Sequence, residues 1–98
     1  SKFMKALIYF ERGEYNRTES EVFSFAENNT PHQYWLAKSF ILLADSYAAQ
    51  NDFFQAKATL QSVLDGYSYT TDGIIDEATS KLNQLVKSEK ERQSVKQD

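Results

Sequence analysis

The sequence contains no cysteine and a single histidine, His32, which excludes several site chemistries at the outset. Without cysteine the chain forms neither a disulfide framework nor a thiolate metal centre, and one histidine cannot supply the His pair of a zinc site. A catalytic serine would need His32 as its base, but His32 falls at a predicted helix start, where a solvated or capping role is typical. We therefore predict no enzymatic activity, no cofactor and no metal.

Long apolar runs and an excess of one charge are also missing. The longest apolar run, residues 40–44, is far shorter than the ~18 residues that cross a bilayer. Lys and Arg total 11 against 14 Asp and Glu, and the charges are spread evenly, so no segment is basic enough to attract a phosphate backbone. We expect one small soluble domain that neither binds nucleic acid nor inserts into a membrane.

Glycine and proline are scarce, with three and one residues, and apolar residues recur at three- and four-residue steps. This periodicity predicts an all-α fold. We predict five helices, over about residues 1–12, 15–27, 31–49, 53–66 and 72–91, followed by a frayed tail over 92–98. The first helix stops at Gly13, and the second ends at Asn28 and Asn29. A Thr30/Gln33 capping box, with Pro31 at the first helical position, starts the third helix, and an Asp52/Gln55 capping box starts the fourth. Gly66 ends the fourth helix as a left-handed terminator, and Asp72 is the N-cap of the fifth.

Each of the last four predicted helices carries one apolar stripe, and these stripes predict the core. The predicted core residues are Tyr15, Thr18, Val22, Phe25 and Ala26; Leu36, Phe40, Leu43, Ala44 and Tyr47; Phe53, Ala56, Leu60, Val63 and Leu64; and Ile75, Ala78, Leu82, Leu85 and Val86. The opposite side of the last helix is wholly polar and includes Glu77 and Lys81.

A shift of 38 positions superposes the chain on itself. It pairs Ala6 with Ala44, Tyr9 with Tyr47, Tyr15 with Phe53 and Val22 with Leu60. In each copy a large aromatic precedes a polar turn and another follows it, and small residues let the two helices approach closely. The sequence therefore predicts a duplicated helical hairpin.

At these positions the chain resembles the tetratricopeptide repeat family, whose unit is a helix-turn-helix of about 34 residues. The segments YFERGEYNRTESEVFSFAENNTP and ADSYAAQNDFFQAKATLQSVLDGY both look like its signature. The first copy departs from it at Thr18 and Lys5, where alanine and leucine are usual. The resemblance implies a right-handed superhelix of antiparallel hairpins within one domain, residues 1–98, with repeats over about 1–30 and 31–68 and a capping helix over 72–91.

The same resemblance implies a non-catalytic interaction scaffold for a protein or peptide partner. The longer repeat spacing is similar to that of bacterial cell-envelope proteins, which implies a periplasmic setting, although the residues themselves leave the compartment open. In this family the first helix of each hairpin lines a concave groove. Carried over residue by residue, the groove comprises Phe3, Leu7, Phe10, Glu11, Lys38, Ile41, Asp45, Ala48, Ala49 and Asn83.

An alternative function is structural. The first helix is apolar nearly all round, which is typical of a helix covered on both sides. This chain would then be the carboxy-terminal cap of a longer array, or would form a homodimer through its first helix. The roles of three aromatic residues also stay open: Tyr34 and Trp35 either pack against Phe23 or Phe25 or anchor a partner, and Phe54 is either packed or exposed.

Overall fold

The computed structural model describes residues 1–28 and 31–97, and within that part of the chain it consists of α-helices without strands. The helices are α1 (Lys2–Glu11), α2 (Tyr15–Glu27), α3 (Gln33–Ala49), α4 (Phe53–Gly66) and α5 (Ile74–Gln97). The predicted all-α class and the number of helices in this part are confirmed. The ends of α1 to α4 lie within about two residues of the predicted positions, as expected when caps and periodicity agree.

Local side-chain chemistry explains where two of these helices begin. Ser1 Oγ accepts a hydrogen bond from the Met4 backbone N–H at 3.3 Å, which caps α1. Asp52 caps α4, since its Oδ1 accepts from the Gln55 N–H at 3.1 Å, as predicted. The Gln55 side chain donates to the other Asp52 oxygen at 2.8 Å rather than to the backbone. Gly13, with φ of 74°, makes the left-handed turn between α1 and α2.

The start of α3 differs from the prediction. The helix begins at Gln33 with His32 at the N-cap position, so Pro31 lies before the helix and not at its first position. A local turn explains the delay, because the Gln33 N–H donates to the Pro31 carbonyl oxygen at 3.0 Å. The predicted cap at Thr30 and the predicted helix end at Asn29 lie outside the described residues.

Two further helix ends differ from the prediction, one in backbone conformation and one in position, although α4 does end at Gly66 as predicted. Gly66 is the last residue of α4 and does not adopt the left-handed backbone; the chain leaves the helix through the extended residue Tyr67, with φ of −90° and ψ of 122°. The fifth helix continues to Gln97, beyond the predicted end at about residue 91. Within the predicted range α5 also contacts α4, since Glu89 Oε1 accepts from Lys57 Nζ at 2.6 Å.

The five helices pack in sequence, each against the next. In addition, α3 packs against both α1 and α5. No Cα atom of α1 lies within 8 Å of α5, and the same holds for α2 and α4. The arrangement is therefore open, about 48 × 30 × 17 Å, with α3 at its centre. This packing is consistent with a helical repeat, in which hairpins stack only on their neighbours.

Two apolar clusters form the core, and α3 contributes to both. One joins α3 to α4 and α5, and the other joins α1 and α2 to α3 and α4. The first contains Ala37, Ile41, Ala44, Leu60, Val63, Ile74 and Ala78, and the second contains Ala6, Val22, Leu42, Leu43, Tyr47 and Ala56. Because it faces neighbours on several sides, α3 also buries two serines, Ser39 and Ser46.

The register of α5 differs by one residue from the predicted stripe at its amino end. Ile74 is 1% exposed and belongs to the core, whereas the predicted core residue Ile75 is half-buried. Val86, also predicted as core, is exposed. The start of the helix explains the shift, since Asp72 Oδ1 accepts from the Ile74 N–H at 3.2 Å. Asp72 thus binds the first N–H of the helix from one residue before the N-cap position, which Gly73 occupies, whereas Asp72 itself was predicted to be the N-cap.

Candidate functional site

The apolar residues predicted for the groove on α1 are partly covered by the protein itself. Phe3, Leu7 and Phe10 are half-buried and pack against the core cluster that joins α1, α2 and α3. Half-burial fixes their positions and leaves part of each side chain accessible. Glu11, one residue further along α1, is exposed.

The predicted groove residues of α3 divide into two groups. Ala48 is half-buried and Ala49 is exposed at the end of the helix, so both remain accessible. Ile41 is 2% exposed and lies in the cluster beneath α5. Its assignment to an open groove is therefore corrected: Ile41 holds α5 in place.

Lys38 and Asp45 also connect α3 to α5. Lys38 Nζ donates to Glu77 Oε1 at 3.0 Å, and Asp45 accepts from Lys81 Nζ at 3.0 and 2.9 Å through its two oxygens. All four side chains are partly shielded from solvent, which strengthens such pairs relative to fully exposed ones. The sequence placed Glu77 and Lys81 on the solvent side of α5, because a single sequence does not show which helix will lie beside them.

The accessible remainder of the predicted groove is spread over three helices. Leu7, Phe10 and Glu11 come from α1, Ala48 and Ala49 from α3, and the exposed Asn83 from α5. Of the ten predicted residues, Phe3 alone lines one of the four cavities described on this surface, and it lies at the start of α1.

Two larger cavities lie elsewhere, at the end of the molecule where α1 and α3 begin. One has a volume of about 560 Å³ and the other about 430 Å³, and both are lined by Pro31, His32 and Trp35. Phe3, Phe25 and Lys2 complete much of the first wall. The second is completed by Gln33, Tyr34, Tyr67, Tyr69 and Asp72.

The aromatic residues that the sequence left open are now placed. Trp35 packs against Phe3, with ring centroids 5.3 Å apart, and remains 47% exposed. Tyr34 meets the edge of Trp35 at 5.1 Å, while Phe23 meets Phe40 on another side of α3. Trp35 and Tyr34 are thus partly packed and partly exposed, and the ring neighbour of Trp35 was not foreseen.

Phe54 is the most exposed large apolar residue described, at 80%. It contributes to a separate cavity of about 280 Å³ over α2, α3 and α4, together with Phe23 and Phe40. Of the two alternatives for Phe54, packed or exposed, the exposed one is therefore confirmed.

Two tyrosines have pKa values that keep their phenols protonated well above neutral pH. Burial, a hydrogen bond from the phenol to the Glu19 carboxylate, and the charges of Glu19 and Asp52 raise the pKa of Tyr47 to about 12. Partial burial and a hydrogen bond to Asp72 do the same for Tyr67, whose pKa is raised to about 12. Both phenols are therefore hydrogen-bond donors that tie neighbouring segments together.

Among the described residues there is no cluster of three or more His, Asp or Glu side chains arranged to hold a metal ion. None of the described helices combines the length and the apolar character needed to span a membrane. Comparisons with protein-family models, with curated proteins and with solved structures found no match to this chain. The tetratricopeptide resemblance thus remains a prediction from the residues quoted above.

Proposed function

We propose that this protein is a non-catalytic interaction scaffold, built from tetratricopeptide-like hairpins, which presents its α1, α3 and α5 surface to a protein or peptide. The open helix order carries this proposal: α3 lies between α1 and α5, which do not approach each other. Such an arrangement exposes one side of three helices at once, and partly buried side chains hold that surface in a fixed shape.

The chemistry of the accessible residues supports a protein or peptide as the partner. Leu7 and Phe10 supply apolar surface, while Glu11 and Asn83 supply polar groups at its margin. A mixture of apolar contact area and a few polar groups is what peptide recognition uses. The ion pairs between α3 and α5 hold α5 in register with α3, so the surface needs little ordering when a partner binds.

Site-specific photo-crosslinking in cells tests this proposal. A crosslinking amino acid at Ala49 or at Asn83, both exposed on the proposed surface, is expected to capture the same defined partner. The matched control is Gln61, an exposed position on α4. Equal capture of that partner from Gln61, or no discrete product from Ala49 and Asn83, would contradict a binding role for this surface.

The structural alternative is favoured by a separate observation on α1. The 38-residue shift relates Met4 to Leu42 and Ile8 to Ser46. In α3, Leu42 and Ser46 are 6% and 1% exposed, whereas Met4 and Ile8 are 51% and 45% exposed. The face that is covered in the second hairpin is therefore uncovered in the first. We propose as the second candidate that a further hairpin or a second copy of this chain covers it.

Sizing at two protein concentrations separates this candidate from the first. If the face self-associates, the apparent mass rises with concentration, and Ile8→Asp abolishes the rise. Ile8 is preferable to Leu7, because Leu7 is half-buried and its replacement would also disturb the core. Phe54→Asp is the matched control, since Phe54 is an exposed apolar residue on α4, a helix that does not contact α1. A monomer at both concentrations would rule out self-association through α1.

A further inference from the structure

Two neighbouring cavities meet at Trp35, and we call the aromatic residues around them the aromatic edge, which consists of Phe3, Tyr34, Trp35, Tyr67 and Tyr69. The cavities share three wall residues, and Trp35 stands between them. The edge exists because α1 and α3 begin here while α2 and α4 end here. Apart from Phe3, it uses none of the residues of the proposed scaffold surface.

The rings of the aromatic edge are tilted relative to one another rather than stacked. The planes of Phe3 and Trp35 meet at 47°, those of Tyr34 and Trp35 at 86°, and those of Tyr67 and Tyr69 at 68°. Tilted neighbours leave part of each ring face uncovered, and Trp35 and Tyr69 are 47% and 59% exposed. The result is a pair of slots walled by aromatic faces.

This shape discriminates between kinds of ligand. A partner helix needs one uninterrupted apolar groove for its stripe of side chains, but Trp35 divides this edge in two. An extended polyproline II segment places successive side chains on different sides and fits aromatic-lined slots, and its stiffness lowers the ordering cost of binding. Trp35 is 47% exposed, and its indole N–H is the kind of donor that a carbonyl oxygen of such a segment accepts.

The charges along the edge add a preference. Lys2 lines the larger cavity and forms no salt bridge with another described residue. Asp72 lines the smaller one and accepts from the Tyr67 phenol and from the Ile74 N–H. The two cavities therefore carry charges of opposite sign, and the Lys2 end is the one that favours an acidic residue of a ligand.

We propose that the aromatic edge is a second docking site, which takes an extended proline-containing segment of a partner protein with an acidic residue at the Lys2 end. This inference does not depend on the proposed scaffold surface, because the two sites lie on different parts of the molecule. A result that contradicts binding at one site therefore leaves binding at the other site to be tested.

Trp35 is the only tryptophan of the chain, so its fluorescence reports directly on the site. The probe is the acetylated peptide Asp-Pro-Pro-Leu-Pro-Pro-Leu-Pro, compared with a version in which Lys replaces Asp and one in which Ala replaces each Pro. We expect a saturable change in Trp35 emission with a Kd below about 1 mM for the Asp peptide. The Ala peptide is expected to bind at least about tenfold more weakly.

Variants of the protein locate the site and its charge. Tyr69→Ala and Tyr34→Ala are expected to weaken binding about tenfold, while Phe54→Ala, at an exposed aromatic outside both cavities, leaves it unchanged. Lys2→Glu is expected to reverse the preference from the Asp peptide to the Lys peptide. Melting temperatures of the variants confirm that each remains folded, and Lys2 is exposed enough for its exchange to leave the fold intact.

Several outcomes would overturn the proposal. One is an unchanged Trp35 emission with every peptide, and another is equal binding of the Pro and Ala peptides. If Lys2→Glu still prefers the Asp peptide to the Lys peptide, Lys2 does not contact an acidic residue of the ligand. If a chitin hexasaccharide alters the emission and the peptides do not, the edge binds carbohydrate instead, since aromatic faces also stack on sugar rings.

Discussion

Replacing Ile74 by alanine tests the register of α5 and the core that holds it. Ile74 is 1% exposed within the cluster formed by α3, α4 and α5. The change removes three carbon atoms, and at about 0.8 kcal/mol per buried CH2 the lost transfer free energy is about 2.4 kcal/mol. The cavity left behind adds to this, and we expect the free energy of unfolding to fall by about 3 kcal/mol.

The matched control is Ile75→Ala, the same substitution one residue further along the same helical turn. Ile75 is half-buried, so its loss should cost about 1 kcal/mol. Any change in helix propensity is similar at the two positions and largely cancels in the comparison.

Urea unfolding followed by circular dichroism measures both variants, and thermal unfolding gives a second reading. For a domain of this size, about 3 kcal/mol corresponds to a fall in Tm of about 12 to 24 °C. The reasoning is refuted if Ile75→Ala costs more than Ile74→Ala. That order would restore the stripe predicted from the sequence, with Ile75 facing the core.

Four further substitutions probe the buried interior and its pH dependence. Ser46→Ala is expected to leave the free energy of unfolding unchanged or to raise it by up to about 1 kcal/mol, because the buried Ser46 Oγ makes no hydrogen bond with the described residues. Ser39→Ala should lower the free energy of unfolding in the same assay, because it removes the 2.8 Å hydrogen bond from Ser39 Oγ to the Trp35 carbonyl oxygen. Ala56→Leu, at a fully buried site, should cost about 2 kcal/mol through overpacking, measured by chemical denaturation. The pKa of Tyr47, about 12 in the folded protein, lies above its ordinary value of 10.0, so the phenol ionises first in the unfolded chain. The contribution of the protonated phenol to the free energy of unfolding should therefore be fully present below pH 10 and be lost as the pH rises towards 12. In Tyr47→Phe the free energy of unfolding should fall less steeply over this pH range.

Periodicity and turn chemistry predicted most of the fold. The apolar spacing defined all five helices, and Asp52 caps α4 as its side chain predicted. The small residues Ala6 and Ala56 are buried, as expected where two helices approach closely. These features depend on residues near one another in sequence, and such information is present in a single chain.

The errors about which side chains are covered came from contacts between distant segments. Ile41 is buried and Lys38 is paired because α5 lies beside α3, and the pattern of α3 alone does not reveal which of its faces is covered. The neighbour of Trp35 was missed for the same reason, since Phe3 belongs to another hairpin.

The placement of α3 in both apolar clusters has a consequence for local opening. Amide protons in the middle of α3 should exchange with deuterium only when the whole chain unfolds, whereas those of α1 and α5 should exchange through smaller openings at either flank. The central helix thus couples the two flanks: neither cluster can be dismantled completely while it stays in place.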